Sequence, residues 1–294
     1  MDLPLAIQVR MTLKSARKVT VARVVVKLAS GQDVPFQVDK DLAGSAYFAL
    51  GIRKCGSSLF NKIIQQLSQL NNRRYVNVAG RYFNNNIAAK DWMKDPANCD
   101  ILYGGNVYGG FRFMPWAFAD SPVYKSAKKL LMVRDPRDAI VSEYFSNAYS
   151  HRIPERTTDG VAISNLLEKM RSKALGMELD EYVVERSPAL LSIFMGYVRQ
   201  WKETPMKVVK YEDYIFEKPD LIRLIASEFD MQVSDAQIES IMAWADVRPQ
   251  KEVPTRFVRR VTPGDHREKL RPDTISKLNE ILKPAMEAFF YDPS

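Results

Sequence analysis

Ala46-Tyr-Phe-Ala-Leu-Gly51-Ile-Arg-Lys54-Cys-Gly56-Ser-Ser58 is the stretch that decides the fold. Its first residues form a short apolar run, the pattern of a strand buried on both faces. Beyond Ser58, Leu59, Ile63, Ile64, Leu67 and Leu70 recur at helical spacing. A loop between a buried strand and a helix start offers unpaired backbone N–H groups and the positive end of the helix dipole, and both attract phosphate. Gly56 lets the backbone approach a ligand closely, and Ser57 and Ser58 add hydroxyl donors. Gly51 and Gly56 have the spacing of the ATP-binding G-x-x-x-x-G-K-[ST] loop, but Ser57 stands where its lysine belongs and Lys54 lies inside the loop. That displacement argues against ordinary ATP or GTP hydrolysis. On these letters alone, a phosphate loop and a plain strand–helix turn whose serines cap the helix both stay open.

The flanking sequence repeats the strand-then-helix pattern. Lys129-Leu-Leu-Met-Val reads as a second buried strand, followed by Arg134-Asp-Pro and a helix through about Ala148. Met206-Lys-Val-Val-Lys-Tyr reads as a third strand, and Leu221–Phe229 and Asp235–Ala245 read as helices. Thr274–Phe290 reads as a C-terminal helix with Pro284 as a kink or break. Strands separated by helices predict an α/β fold, a P-loop-like parallel sheet flanked by helices on both faces. Residues 1–40 differ: Ile7–Leu13 alternates apolar and polar residues, Thr20–Leu28 is rich in β-branched residues, and Gly31-Gln-Asp marks a turn. They are expected to form a short N-terminal β extension ahead of a main domain over 41–294.

Val133-Arg134-Asp-Pro-Arg-Asp-Ala-Ile-Val-Ser142 predicts a second anion site. Arg134 ends a buried strand, Pro136 opens a helix, and Ser142 lies about two turns on. The planar fork of Arg134 and the hydroxyl of Ser142 suit one phosphate. Asp135 capping the helix, with Arg134 and Arg137 in surface ion pairs, is the alternative.

Bulk properties narrow the class. The 294 residues suit one large α/β domain, and no apolar run is long enough to span a bilayer. The start, Met1-Asp2-Leu3-Pro4, lacks the pattern of a signal peptide. Two cysteines and two histidines make neither a disulfide framework nor a metal-ligand spacing, so no metal and a cytoplasmic setting are expected. A net charge of +8 suits a polyanion, but basic and acidic residues are interleaved, which favours a small anionic ligand over nucleic acid.

Lys54-Cys-Gly-Ser-Ser and, about 80 residues on, Arg134-Asp-Pro-Arg-Asp-Ala-Ile-Val-Ser142 resemble the sulfotransferase superfamily that uses the adenine-nucleotide sulfate donor PAPS. The resemblance implies that the loop Arg53, Lys54, Cys55, Gly56, Ser57, Ser58 and Leu59 binds the donor, with its phosphosulfate gripped at Lys54. It implies that Arg134 and Ser142 hold the 3′-phosphate, that Tyr211 of Val208-Val-Lys-Tyr-Glu-Asp lies near adenine, and that Arg259 and Arg260 add cations. PAP would be the product, and no membrane partner is expected. The chain departs from the family pattern at Arg53, usually proline; at Leu59, usually aromatic; at Val261, usually glycine; and at His266, usually tryptophan.

Sulfonate transfer is an in-line displacement in which positioning and charge stabilisation dominate, and Lys54 is the candidate catalytic residue. The family often places a histidine between the loop and the arginine motif, and this chain has none there. Tyr82, Tyr108, Arg112, Phe113 and His151 are the candidate acceptor-side residues, within or beyond an aromatic-rich segment over Tyr82–Phe118. Asp91, Asp95, Asp100 and Asp120 lie in or beside that segment, so a cationic natural product, a guanidinium alkaloid such as saxitoxin, is one candidate acceptor. A P-loop kinase or nucleotide triphosphatase, and an inactive PAP-binding relative, are the alternative readings.

Overall fold

Phe48 and Leu50 enter one apolar cluster while Tyr47 and Ala49 enter another, so the strand before the loop is buried on both faces. That alternation is what an unbroken apolar run in a covered parallel sheet requires. The structure, a computed structural model, describes residues 20–41, 44–151, 153 and 161–292. In chain order its elements are β1 (Thr20–Lys27), β2 (Asp33–Lys40), β3 (Tyr47–Gly51), α1 (Ser57–Leu70), β4 (Tyr75–Asn77), α2 (Val78–Asn84), α3 (Ala89–Trp92), β5 (Val107–Gly109), α4 (Pro122–Ser126), β6 (Lys128–Val133) and α5 (Pro136–Phe145). Next come α6 (Val161–Leu175), α7 (Leu179–Glu203), β7 (Lys207–Lys210), α8 (Tyr211–Tyr214), α9 (Lys218–Glu228), α10 (Asp235–Ala245), α11 (Asp265–Lys269) and α12 (Pro272–Ala288).

Five parallel strands form the central sheet in the order β4-β5-β3-β6-β7. Phe60, Ile63, Ile64 and Leu67 of α1 cover one face together with α9 and α10. α5, α7 and α12 supply Ile140, Phe194, Leu282 and their neighbours to the cluster on the other face. The loop after β3 and the arginine after β6 emerge at the C-terminal ends of adjacent strands, where open α/β sheets bind ligands.

β1 and β2 make an antiparallel hairpin, turned at Gly31 with φ +84°. Val26, Val34, Phe36 and Val38 belong to the same cluster as Phe48 and Tyr108, so the hairpin shares the core of the main body. Buried Asn106 bonds both backbone groups of Asp39, at 2.9 and 2.8 Å, and the Arg74 guanidinium meets the Asp39 carboxylate at 2.6 Å. The strand expected at Ile7–Leu13 lies outside the described residues.

Two expectations need correction. The helix after Arg134 is α-helical only to Phe145 and then opens into a π-helical turn at Ser146–Ser150. α12 continues past Pro284 to Ala288 without a break, because packing of Leu278, Leu282, Ala285 and Met286 against the core holds both sides of the proline. Among the described residues no helix is long and apolar enough to cross a membrane.

Candidate active site

Gly51 ends β3, and the chain turns through Ile52–Gly56 into α1. Lys54 and Gly56 both adopt positive φ, +68° and +77°. A side chain at Gly56 would also place its Cβ 2.7 Å from the Tyr211 ring, so only glycine brings loop and ring together. No side chain caps the N-terminus of α1, and its first turn carries no acidic residue. The capping role open to Ser57 and Ser58 is therefore not used, and the helix start keeps its pull on an anion. Ile52 N–H donates to Met132 O at 3.4 Å, Arg53 N–H to Arg112 O at 3.1 Å, and the buried Tyr197 hydroxyl to Gly51 O at 3.1 Å.

Lys54 is half-buried among cations. Burial, then the charge of Arg53, lower its pKa to about 8; Glu143 pulls the other way, and Arg134 and Arg112 add to the lowering. Glu143, buried on α5, takes ion pairs from Arg53 at 3.0 Å and Arg186 at 2.9 Å. Arg112 anchors on the carbonyls of Gly110 and Phe111 and reaches Ser58 Oγ at 3.4 Å. Lys54, Arg112 and the free helix end give the loop a positive field with no carboxylate bound to Lys54 among the described residues.

Arg134 leaves β6 and is buried, with its guanidinium 4.6 Å from the Tyr211 ring centroid. One NH2 lies 3.3 Å from Asp138, and its buried Nε has no partner. A buried donor without an acceptor is costly, and an anion arriving there would relieve that cost. Tyr211 donates its hydroxyl to Val261 O at 2.8 Å, which ties the C-terminal loop to the same place. Gly56, Leu59, Met132, Tyr211, Tyr214 and Leu221 border a narrow apolar hollow of about 10 Å³ beside the loop and the Tyr211 ring. Two anion-seeking points beside one apolar hollow is an arrangement suited to a nucleotide with phosphates at separate positions.

Comparison with known proteins gives the family. The model of the sulfotransferase domain family matches residues 113–290, well over half of the chain. The chain belongs to that family. The mouse sulfotransferase SULT7A1, solved in complex with PAP, is similar with TM-score 0.52 at 11% identity, over 84% of this chain and 85% of that one. Retinol dehydratase, solved with androsterone and PAP, gives TM-score 0.46 at 13% identity, over 92% and 90% of the two chains. No curated protein sequence matches significantly.

In this sulfotransferase, Asp138 organises the Arg134 side of the site. It accepts from Gly264 N at 2.7 Å and His266 N at 3.0 Å, and besides Arg134 it meets His266 Nδ1 at 2.7 Å. Burial pushes the Asp138 carboxyl up, but His266 and Arg134 outweigh it and hold the group well below the usual carboxylate range. Asp138 therefore ties the arginine motif to the loop that opens α11. Ser142 sits half-buried on the same helix, α5. Arg137 is not a surface ion-pair residue: it is buried on Asp135 and Asn279 and tethers α12.

Arg259 and Arg260 depart from expectation. Arg259 is bonded to Glu252 and Asp265 and lies 4.0 Å over the Phe145 ring, while Arg260 is bonded to Glu268. Neither is an open cation, because three carboxylates from the adjoining segments already meet their charge. Arg134 likewise has a carboxylate partner in Asp138, and Arg260 Nε, like Arg134 Nε, is buried without a hydrogen-bond partner.

The acceptor-side candidates divide. Tyr82 and Tyr108 are fully buried core residues. Tyr82 bonds Asn98 and stacks on Trp92 at 4.6 Å, and Tyr108 donates to Ile101 O at 2.8 Å and stacks on Phe48 at 4.9 Å. Neither hydroxyl is available to an acceptor. Arg112 bonds the carbonyls of Gly110 and Phe111 and reaches Ser58, and Phe113 is half-buried against Trp92 at 5.5 Å. His151 lies where Lys54 and Arg53 act on it, and burial and then these charges lower its pKa. Asp138, Glu143 and Tyr197 escape a reading of the sequence. Only the repeat of Val183, Leu190, Phe194 and Tyr197 at helical spacing hints at the last. Among the described residues no group of three or more His, Cys, Asp or Glu could hold a metal.

Proposed function

We propose that this sulfotransferase takes the sulfonate group of PAPS and transfers it to a hydroxyl or nitrogen of a small-molecule acceptor, releasing PAP. The observation that carries the donor assignment is the buried Arg134 with its unpartnered Nε, set over the Tyr211 ring that packs on Gly56 of the Lys54 loop. An adenosine carrying phosphates at both 3′ and 5′ needs two separated cationic points, whereas ATP needs one extended site. The 5′ end would lie on the loop amides from Lys54 to Ser58, the adenine against the apolar surface around Leu59 and Tyr211, and the 3′-phosphate at Arg134 and Ser142. Arg259 and Arg260 would contribute to the field around the 3′-phosphate only after releasing their carboxylates. The PAP held by the mouse protein of the same fold supports the assignment.

Lys54 would stabilise charge on the leaving phosphate oxygen, and it must be an ammonium to do so. Its lowered pKa makes that charge responsive to the incoming anion, which raises it again. A neutral hydroxyl acceptor fits better than a guanidinium alkaloid such as saxitoxin. Asp95 is bonded to the amides of Ala29 and Ala97, and Asp91, Asp100 and Asp120 are exposed. The test is calorimetry with PAP in the absence of Mg²⁺ and with ATP–Mg²⁺. Micromolar PAP binding with no ATP binding supports the reading, and the reverse order contradicts it.

A further inference from the structure

Glu143 is a buried charge that touches neither of the two anion sites, and the role inferred for it rests on the proposed sulfotransferase activity. Its side chain, on α5 next to Ser142, is only 2% exposed. Glu143 Oε2 meets Arg53 Nε of the phosphate loop at 3.0 Å. Oε1 accepts from Arg186 Nε at 3.0 Å, from Arg186 NH2 at 2.9 Å and from the Tyr182 hydroxyl at 3.2 Å, all on α7. Asn147 in turn donates to the Tyr182 hydroxyl at 2.8 Å. A carboxylate this deeply buried is tolerated only when paired and hydrogen-bonded, and here donors on two sides fix where it lies. With both oxygens taken by donors, Glu143 is not placed to accept a proton.

Arg53 is bonded covalently to Lys54, at one of the positions where the chain departs from the family pattern. Lys54 holds φ +68°, a left-handed conformation that a residue with a Cβ keeps only where its surroundings over-determine it. The residues on either side do so. Cys55 is buried, and its N–H donates to Ile52 O at 3.2 Å. Arg53 N–H donates to Arg112 O at 3.1 Å, and the Arg53 side chain is tied to Glu143. That side chain is already a quarter exposed, so without the carboxylate it is free to turn to solvent, and a clamp on the strained residue is lost. α5 therefore fastens two loops of the site. Asp138 holds the amides of Gly264 and His266, and Glu143 holds Arg53.

We propose that Glu143 is a positioning residue for sulfonate transfer: through its ion pair with Arg53 it holds the backbone at Lys54 in the left-handed turn that aims the ammonium at the donor. Glu143 acts through Arg53 and touches no reacting atom. The charge that develops on the leaving phosphate oxygen is met only by an ammonium already in place, and a misplacement of about 1 Å in such a group costs on the order of 100-fold in rate. Binding of PAP depends less on this clamp, because Arg134 and the start of α1 hold phosphate without Lys54.

The experiment is a double-mutant cycle of Glu143→Gln and Arg53→Gln, read by single-turnover sulfonate transfer from PAPS to 4-nitrophenol and by calorimetry with PAP. Each single variant should slow transfer by roughly 10- to 100-fold while PAP affinity changes by less than about 3-fold. The double variant should be no slower than the slower single one, because both remove the same clamp. Arg53→Lys, which keeps a cation for the carboxylate, should recover part of the rate. A rate unchanged in Glu143→Gln, losses that multiply in the double variant, or PAP affinity lost in step with the rate overturns the assignment. Hydrogen exchange at the loop amides of residues 52–58 needs neither donor nor turnover. It should quicken by about 10-fold or more in each single variant and no further in the double one, and unaltered exchange overturns the clamp. Should Glu143→Gln not fold, Arg53→Gln carries both readouts, since its side chain reaches solvent. PAP binding and transfer by the wild type test the donor reading separately, so Glu143 can fail while the donor site stands.

Discussion

Removing the Arg134 side chain is the sharpest perturbation of the proposed donor site. Its guanidinium is buried, weakly paired with Asp138 at 3.3 Å, and holds an unpartnered Nε. A phosphate bound there would gain a desolvated charge-assisted bond, and truncating one partner of such a pair costs about 2–4 kcal/mol. At 1.4 kcal/mol per decade, Arg134→Ala should weaken PAP binding roughly 30- to 1000-fold. The fold should tolerate the change, because Asp138 keeps the amides of Gly264 and His266 and the His266 ring. Calorimetry with PAP at about 0.15 M salt reads the loss, since surface electrostatics are largely screened there. Thermal unfolding of the same sample confirms that the variant is folded. Arg134→Lys keeps the charge but not the planar fork and should recover only part of the affinity. Equal PAP affinity in wild type and Arg134→Ala would refute the assignment of the second anion site.

Lys54→Ala should lower turnover by far more than it lowers PAP affinity, which paired rate and binding measurements will show. In the wild type, the pKa of Lys54 near 8 means that PAP binding should take up protons around pH 8–9 and not below pH 7. Calorimetry in buffers of different ionisation enthalpy measures that uptake, and Lys54→Ala should abolish it. Asp138→Asn should cost about 3–5 kcal/mol of stability at pH 7, because Arg134 is left buried beside a neutral amide. The folded-state pKa of Asp138 is depressed, so its contribution is present above about pH 3.9, the unfolded value, and declines as pH falls below it. Urea melts at pH 7 and pH 3 should show the gap between wild type and Asp138→Asn narrowing.

The sheet is legible in the sequence where burial is two-sided. Tyr47–Leu50 and Lys129–Val133 carry unbroken apolar runs, and both are core strands. β4 and β5 are three residues each and carry no period that a sequence window could detect. The π-helical turn at Ser146–Ser150 looks like a continuing helix, because local spacing does not distinguish an i→i+5 turn from an α turn. In the site, the loop and Arg134 are readable from strand–loop–helix context. The carboxylates that meet Arg259 and Arg260 are not, since pairing with Glu252, Asp265 and Glu268 depends on how a long loop folds back. Tyr82 and Tyr108 mislead for a related reason. An aromatic residue looks the same in sequence whether it lines a pocket or fills a core, and here Asn98 and backbone carbonyls take their hydroxyls.

The most direct measurement traces radiolabelled sulfonate from PAPS to a phenol panel and counts PAP released in parallel. Equal amounts of labelled sulfate ester and PAP, formed without Mg²⁺ and lost in Lys54→Ala, are the predicted result. Tight PAP binding with no transfer to any phenol, or transfer undiminished in Lys54→Ala, would contradict the account.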